Sequence, residues 1–250
     1  MVREKGRSLV HRVDGGMEQA IGADWGSLAG TANVAFLLAF PSLFSIINPI
    51  GGAFIFYGVT KDFSPAVKEK VAALVGVYSL LIMFGALWAG AYVLRFFGVS
   101  IDALRIAGGT VVALSGWRLL SSAEPHPDRK GHERAEEQGS DGDPLQLAFF
   151  PLTLPFTTGP GTIAVAITIG AERPASSVGF VAFFLGASVA AVANAAIIWI
   201  SYRSADRLTD FIGPTAQAVI VRLTAFLLMC IGVQILVTAI SDLITHWRVV

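Results

Sequence analysis

FPSLFSIINPIGGAFIF (residues 40–56) and FPLTLPFTTGPGTIAVA (residues 150–166) decide the reading of this chain. With an offset of 110, Phe40-Pro41 falls on Phe150-Pro151 and Gly51 on Gly161, while Pro49 and Pro160 stand one position out of register. Both stretches are apolar, yet each carries proline and glycine in mid-run. Proline removes a backbone donor and crowds the preceding turn, and glycine admits non-helical angles. Each stretch lies in an apolar run, 33–59 or 145–170. Either run would be about 40 Å long at 1.5 Å per residue, more than the roughly 30 Å of a hydrocarbon core. Each must therefore tilt strongly or break, at Asn48-Pro49-Ile50-Gly51-Gly52 and at Thr157-Thr158-Gly159-Pro160-Gly161-Thr162.

Outward from these runs the chain supplies four more apolar stretches, 71–94, 103–120, 177–200 and 217–240, for six spans in all. None shows the strand-like alternation of a membrane barrel, so helices are expected. Of the 250 residues 54% are apolar and 14% charged. The charges crowd into residues 1–30 and 121–144, leaving 18 for the other 196 residues, where a soluble domain has roughly 25%. That excludes a water-soluble globule. Zero net charge gives no basic face for nucleic acid. The expected class is an all-α membrane protein.

The hydrophilic stretch 121–144 divides the chain into two sets of three spans. Residues 1–32 are an N-terminal extension, expected to be poorly ordered and without the apolar stretch of a cleavable signal. Residues 33–120 form a first three-helix repeat, 121–144 a linker and 145–250 a second repeat. Three is odd, so the second set enters the membrane from the opposite side. The result is a 3+3 inverted-topology repeat with helices one and four broken, an arrangement recurrent in secondary transporters. Arg105 and Arg222, each opening a third span, fit that inversion.

Lysine and arginine in short loops set the direction. Lys61, Lys68, Lys70, Arg118, Arg129, Lys130, Arg134, Arg203 and Arg207 fall on one side; Arg95, Arg173 and Arg248 fall on the other. Both termini are thus expected outside and 121–144 in the cytoplasm. Trp88, Tyr92, Trp117, Trp199, Tyr202 and Trp247 stand near span ends, where aromatic rings anchor helices at the interface.

The chemistry sits at the breaks. A half-helix that begins inside the membrane presents free N–H groups and the positive end of its dipole, which suit a carboxylate. Asn48, Thr157, Thr158 and Thr162 are neutral hydrogen-bonding groups suited to a small zwitterion, with Pro49, Gly51, Gly52, Gly159, Pro160 and Gly161 shaping the backbone. Arg105 and Arg222 have two readings, snorkelling to the headgroups or gating and charge balance. Asp102 is placed to pair with Arg105 along a helix. Asn194 and Gln234 read as interhelical partners, and Gly108, Gly109, Gly116 and Gly232 as close-packing points.

No acid lies deep in any span; Asp102, Glu172 and Asp242 fall at or beyond span ends. That argues against a carboxylate-driven exporter of cations. The four histidines lie outside the apolar runs and Cys230 is the one cysteine, so no metal site, cofactor or catalytic pair is expected and the chain does not read as an enzyme.

FPSLFSIINPIGGAFIFYGVT (40–60), FFGVSIDALRIAGG (96–109), GWRLL (116–120), PLTLPFTTGPGTIA (151–164) and GVQIL (232–236) together resemble the MarC family of bacterial integral membrane proteins. The resemblance covers about residues 33–243. It implies a six-span inner-membrane protein grouped with transporters of small neutral amino acids such as alanine and glycine. Its motif positions here are Asn48, Pro49, Gly51, Thr158, Gly159, Pro160 and Gly161. The expected function is secondary transport of such solutes across the bilayer, with H+ or Na+ as possible coupling ion. A non-transporting membrane scaffold or regulator, and an exporter of other small polar solutes, are the alternatives.

Overall fold

The computed structural model describes residues 28–121, 144–174 and 176–247, and these are helical throughout apart from short connections. Residues 1–27 of the expected extension and 122–143 of the linker lie outside the described residues, while residues 28–32, expected to be poorly ordered, open the first helix. Helix α1 covers residues 28–47 and is followed, after Asn48, by α2 (Pro49–Thr60), α3 (Pro65–Phe96) and α4 (Ile101–Ser121). After the linker come a short α5 (Pro144–Leu147), a π-type segment (Ala148–Thr157), α6 (Pro160–Ala171), α7 (Ser177–Arg203) and α8 (Ala205–Trp247).

Local chemistry sets the ends. Pro65, whose missing N–H has no partner to lose in a first turn, opens α3. Gly98, at φ 68°, closes it: Val99 N–H donates to Leu94 and Gly98 N–H to Arg95, the paired bonds of a left-handed helix stop. Ser100 and Ser176 then accept the first N–H groups of α4 and α7, from Ala103 and Gly179. Helix α3 has 32 residues against the 71–94 expected, because Val67 to Lys70 continue the helix beyond the apolar run. Hydropathy marks the apolar run, and the helix goes on into the charged residues that precede it.

Four helical stretches are each long and apolar enough to cross a bilayer: Leu28–Thr60, Pro65–Phe96, Val178–Arg203 and Val219–Thr245. The bent pair Ala148–Thr157 and Pro160–Ala171 makes a fifth if it is one span. Helix α4, counted as a span from sequence, is outside that set, since Asp102, Arg105 and Arg118 dilute its apolar residues.

Helix α7 is the centre of the bundle. Its Phe183, Phe184, Ala187, Ala190, Ala191 and Ile198 meet a stripe of Ala35, Ala39, Leu43 and Ile47 on α1 and one of Val71, Ala72, Val75 and Met83 on α3. The i, i+4 spacing of the α1 stripe lays one face on α7 and turns Leu37 and Leu38 outward. Packing partners follow a pattern: α2 lies on α7 and α8, α6 lies on α3 and α4, while α3 packs on α7 and α4 on α8. The α4–α8 contact is the most extensive. There Gly109 and Gly232 approach backbone to backbone, and a Cβ at Gly116 would run into the backbone of Ala225 and Met229.

Ion pairs gather at the two ends of the long helices. Lys68 Nζ lies 2.8 Å from Asp206, and Arg203 lies 3.0 Å from Glu69. At the other end Arg105 reaches Glu172 at 2.8 Å, Asp242 at 3.1 Å and Asp102 at 4.0 Å. Trp88, Tyr92, Trp117 and Trp199 are exposed on the outer faces, in keeping with anchoring at the interface. Tyr202 is not: it is 2% exposed. The side chain of Trp247 lies outside those described.

Candidate functional site

The two breaks differ in kind. In the first, only Asn48 leaves helical geometry, at φ 49° and ψ 65°. The ladder runs on around it, with Asn48 N–H donating to Phe44 and Gly52 N–H to Asn48, both at 2.9 Å. Asparagine tolerates left-handed angles because its short side chain can bond locally, and here Asn48 Oδ1 accepts from Gly51 N–H at 3.1 Å. Gly51 and Gly52 do not unwind the helix, contrary to the expectation of a break across Asn48–Gly52. Their absent side chains serve close approach: a Cβ at 51 would overlap Asn48 Nδ2, and one at 52 would overlap the Tyr202 hydroxyl.

The second break is far larger and begins earlier than expected. The π-type segment and α6 meet at 67°. Phe150 (φ −130°, ψ 123°) and Leu154 (φ −110°, ψ 120°) are extended, as residues before proline tend to be, and the bonds to Pro151 and Pro155 are cis. Two threonine hydroxyls bond back onto carbonyls of the same segment. Thr153 Oγ1 donates to Ala148 and Thr157 Oγ1 to Leu152, each at 2.6 Å, and Thr158 N–H donates to Thr153 at 2.9 Å. All three bonds span five residues, the wide turn of a π-helix. The repeated Pro-x-Thr spacing (Pro151–Thr153, Pro155–Thr157) is the sequence signal for this segment.

Helix α6 then starts at Pro160 behind Gly159, with no side chain capping its N–H groups. Thr157, Thr158 and Thr162 are buried there, and the Thr158 hydroxyl, wholly buried, has no hydrogen-bond partner. Gly161 presses against Val112 of α4, with Ile46 of α1 near by. The second break thus lies beside the first.

Tyr202, at the end of α7, joins them. Its ring tilts against Phe56 of α2 at 5.0 Å, its hydroxyl lies in the notch over Gly52, and the same hydroxyl is 2.7 Å from Thr157 Oγ1. Thr157 spends its one proton on Leu152, so Tyr202 is the donor and Thr157 the acceptor. Nothing in the local sequence distinguished Tyr202 from an interface anchor; only the packing of three helices does.

The remaining candidates lie elsewhere. Arg105 sits beside Glu172, past the C-terminal end of α6 and a full helix length from Pro160. Its position is that of an interhelical ion-pair hub, which neither snorkelling nor contact with a solute at the breaks describes. Arg222 is exposed on α8. Asn194 donates to Ala190 at 2.9 Å and to Phe40 of α1 at 3.4 Å, an interhelical partner as read. Gln234 instead bonds within its own helix, to Thr238. A shallow groove of about 340 Å³ between Trp199, Ile200, Arg203, Ser204 and Arg207 lies outside the breaks, whose threonines are closed off from solvent. Among the described residues no group of His, Cys, Asp and Glu is placed to hold a metal ion.

The family model of the MarC family integral membrane proteins matches residues 33–244. The chain belongs to the MarC family. The inner membrane protein MarC of Citrobacter koseri is 34% identical over 213 residues, covering 82% of this chain and 94% of that protein. The inner membrane proteins MarC of Escherichia coli O1:K1 and of Salmonella typhimurium are each 33% identical over the same shares of the two chains. No solved structure matches. The match to the MarC family spans both breaks, Tyr202 and the ion pairs at both ends, and leaves out the N-terminal residues. This MarC family member is a helical membrane protein.

Proposed function

We propose that this protein is a secondary transporter of small neutral amino acids, such as alanine or glycine, with its solute site where the two interrupted helices meet. The observation that carries the reading is the start of α6. Its N–H groups lack a side-chain cap, and the neighbouring Thr158 hydroxyl is fully buried without a partner. A buried polar group with no partner costs about 1–3 kcal/mol. A solute carboxylate placed over Gly161 and Thr162 would satisfy the helix end and Thr158 together. The contacts at Gly52 and Gly161 leave little room, which favours small solutes. Asn48 enters this site as a helix cap, its Oδ1 already engaged.

The six-span, inverted 3+3 architecture is part of the same proposal. Exchanging α2 with α6, α3 with α7 and α4 with α8 maps the packing pattern onto itself, as an inverted repeat requires. The names of its relatives favour the bacterial inner membrane, and the nine basic residues on one side favour a cytoplasmic 121–144 loop with both termini outside. Coupling would use H+ or Na+ without an intramembrane carboxylate.

Uptake of labelled alanine and glycine into proteoliposomes, with and without imposed proton or sodium gradients, tests the reading. Saturable, gradient-accelerated uptake that Thr158→Val abolishes is the expected result. Folded protein that moves neither solute, nor other small polar ones, would refute transport and leave the scaffold reading.

A further inference from the structure

Every interhelical ion pair named above ties the first half of the chain to the second. Lys68 and Glu69 hold Asp206 and Arg203 at one end; Arg105 holds Glu172 and Asp242 at the other. Between the first of these ends and the breaks stands Tyr202, one residue before Arg203. It is a polar side chain within the bundle, yet it is 2% exposed. Its ring lies on Phe56 of the first half and its hydroxyl donates to Thr157 of the second. The hydroxyl also fills the notch on α2 that the missing side chain of Gly52 leaves. A side chain so placed is fastened to both interrupted elements at once, next in the chain to the Arg203 ion pair and next in space to the buried threonines.

We propose that Tyr202 is the gate residue of the break site, closing it towards the end where Lys68 pairs with Asp206 and Glu69 with Arg203. The inference rests on the solute-site reading. Opening requires the Tyr202–Thr157 bond to part and the ring to leave Gly52. The two ion pairs beside it lengthen in the same movement, because Arg203 and Asp206 lie on the segment that carries Tyr202. The half-buried Lys68 and the exposed partners make these pairs weak enough to be remade in each cycle. The far end, held by Arg105, stays shut meanwhile. Tyr202 is a positioning residue here, acting on access and not on any bond of the solute.

Thiol accessibility tests this without relying on transport. Cys230 is the one cysteine and is exposed, so Cys230→Ser gives a background in which Thr158→Cys reports on the break. Charged, membrane-impermeant methanethiosulfonate is applied to vesicles of either orientation. With Tyr202 intact, labelling is slow from both faces. Tyr202→Ala is expected to accelerate it at least tenfold from the Lys68 face alone. Tyr202→Phe, which keeps the ring and should fold, is expected to give a roughly five- to tenfold gain, the size of one lost buried hydrogen bond in an opening equilibrium. Equal acceleration from both faces would mean general loosening, and no acceleration in either variant would mean a packing role; each overturns the proposal. Transport is measured separately, in the protein with Thr158 intact. One-sided acceleration in the cysteine variants with no transport by the Thr158 protein would keep the gate and refute the transporter, and unchanged labelling with transport by the Thr158 protein would do the reverse.

Discussion

Gly52→Ala places a methyl group where the Tyr202 hydroxyl now sits, and the cost can be worked from the contacts. The new Cβ would overlap that hydroxyl and lie 3.1 Å from Cε1 and Cζ of the same ring. A flexible side chain could swing aside, but this ring is buried and rests on Phe56 at 5.0 Å. Overpacking of this kind costs about 1–3 kcal/mol. Straining the Tyr202–Thr157 bond forfeits part of the roughly 1 kcal/mol that such a bond contributes. Gly52→Ala should therefore destabilise by roughly 2–3 kcal/mol, and Tyr202→Phe alone by about 1 kcal/mol. In the double variant the overlapping oxygen is gone and only the ring carbons must yield a few tenths of an ångström. Its expected cost is about 1.5 kcal/mol, a coupling of about 2 kcal/mol against the sum of the single changes, well beyond the roughly 0.3–0.5 kcal/mol scatter of independent sites. For a chain of this size each kcal/mol moves the midpoint by about 2–4 °C. In a mild detergent Gly52→Ala should thus lower Tm by roughly 4–12 °C, and adding Tyr202→Phe should raise it again by about 2–6 °C. A second destabilising change that raises Tm is the signature sought. Additive losses would refute the Gly52–Tyr202 contact and everything argued from it.

Thr158→Val removes a buried hydroxyl that has no partner, so Tm should hold or rise while alanine uptake is lost; a clear fall in Tm would show an unseen structural bond. Gly116→Ala should cost about 2–3 kcal/mol because the Cβ meets the α8 backbone, whereas Gly85→Ala, facing open space on α3, should be neutral or slightly stabilising through helix propensity; paired melting curves compare them. Arg105→Gln removes the Arg105 pairs of Glu172 and Asp242, carboxylates 45% and 44% exposed. Screening limits the loss to about 1 kcal/mol. The Tm gap to the parent protein should shrink in 1 M salt, where the Debye length falls to about 3 Å, and a salt-independent gap would contradict the ion-pair reading. Exchanging the charges, Lys68→Asp with Asp206→Lys, should recover the Tm lost by either change alone.

Much of the tertiary arrangement follows from features visible in the chain. Glu172 and Asp242 stand just past apolar runs and Asp102 just before one, and the fold brings all three to one end of the bundle, where Arg105 collects them. Gly109, Gly116 and Gly232 read as close-packing points, and the α4–α8 contact uses all three. The breaks were legible as places, since Asn-Pro-x-Gly-Gly and Thr-Gly-Pro-Gly cannot pass unnoticed in apolar runs. Their form was not. Whether a glycine unwinds a helix or admits a neighbour depends on what lies opposite, and at Gly51 and Gly52 the neighbours are Asn48 and Tyr202.

The sequence by itself determined that the chain is helical, apolar and bound for a membrane, and that its helices are interrupted near Asn48 and ahead of Pro160. Backbone hydrogen bonding without water, the lost donor of proline and the length of a hydrocarbon core act through composition and spacing alone. Tertiary structure alone decided that the two interruptions meet and that Tyr202 is buried between them. Those outcomes depend on which helix faces lie together, and residues far apart in the chain carry no local signal of their contact: Tyr202 ends an apolar helix like any anchor until α2 and the π-type segment close over it.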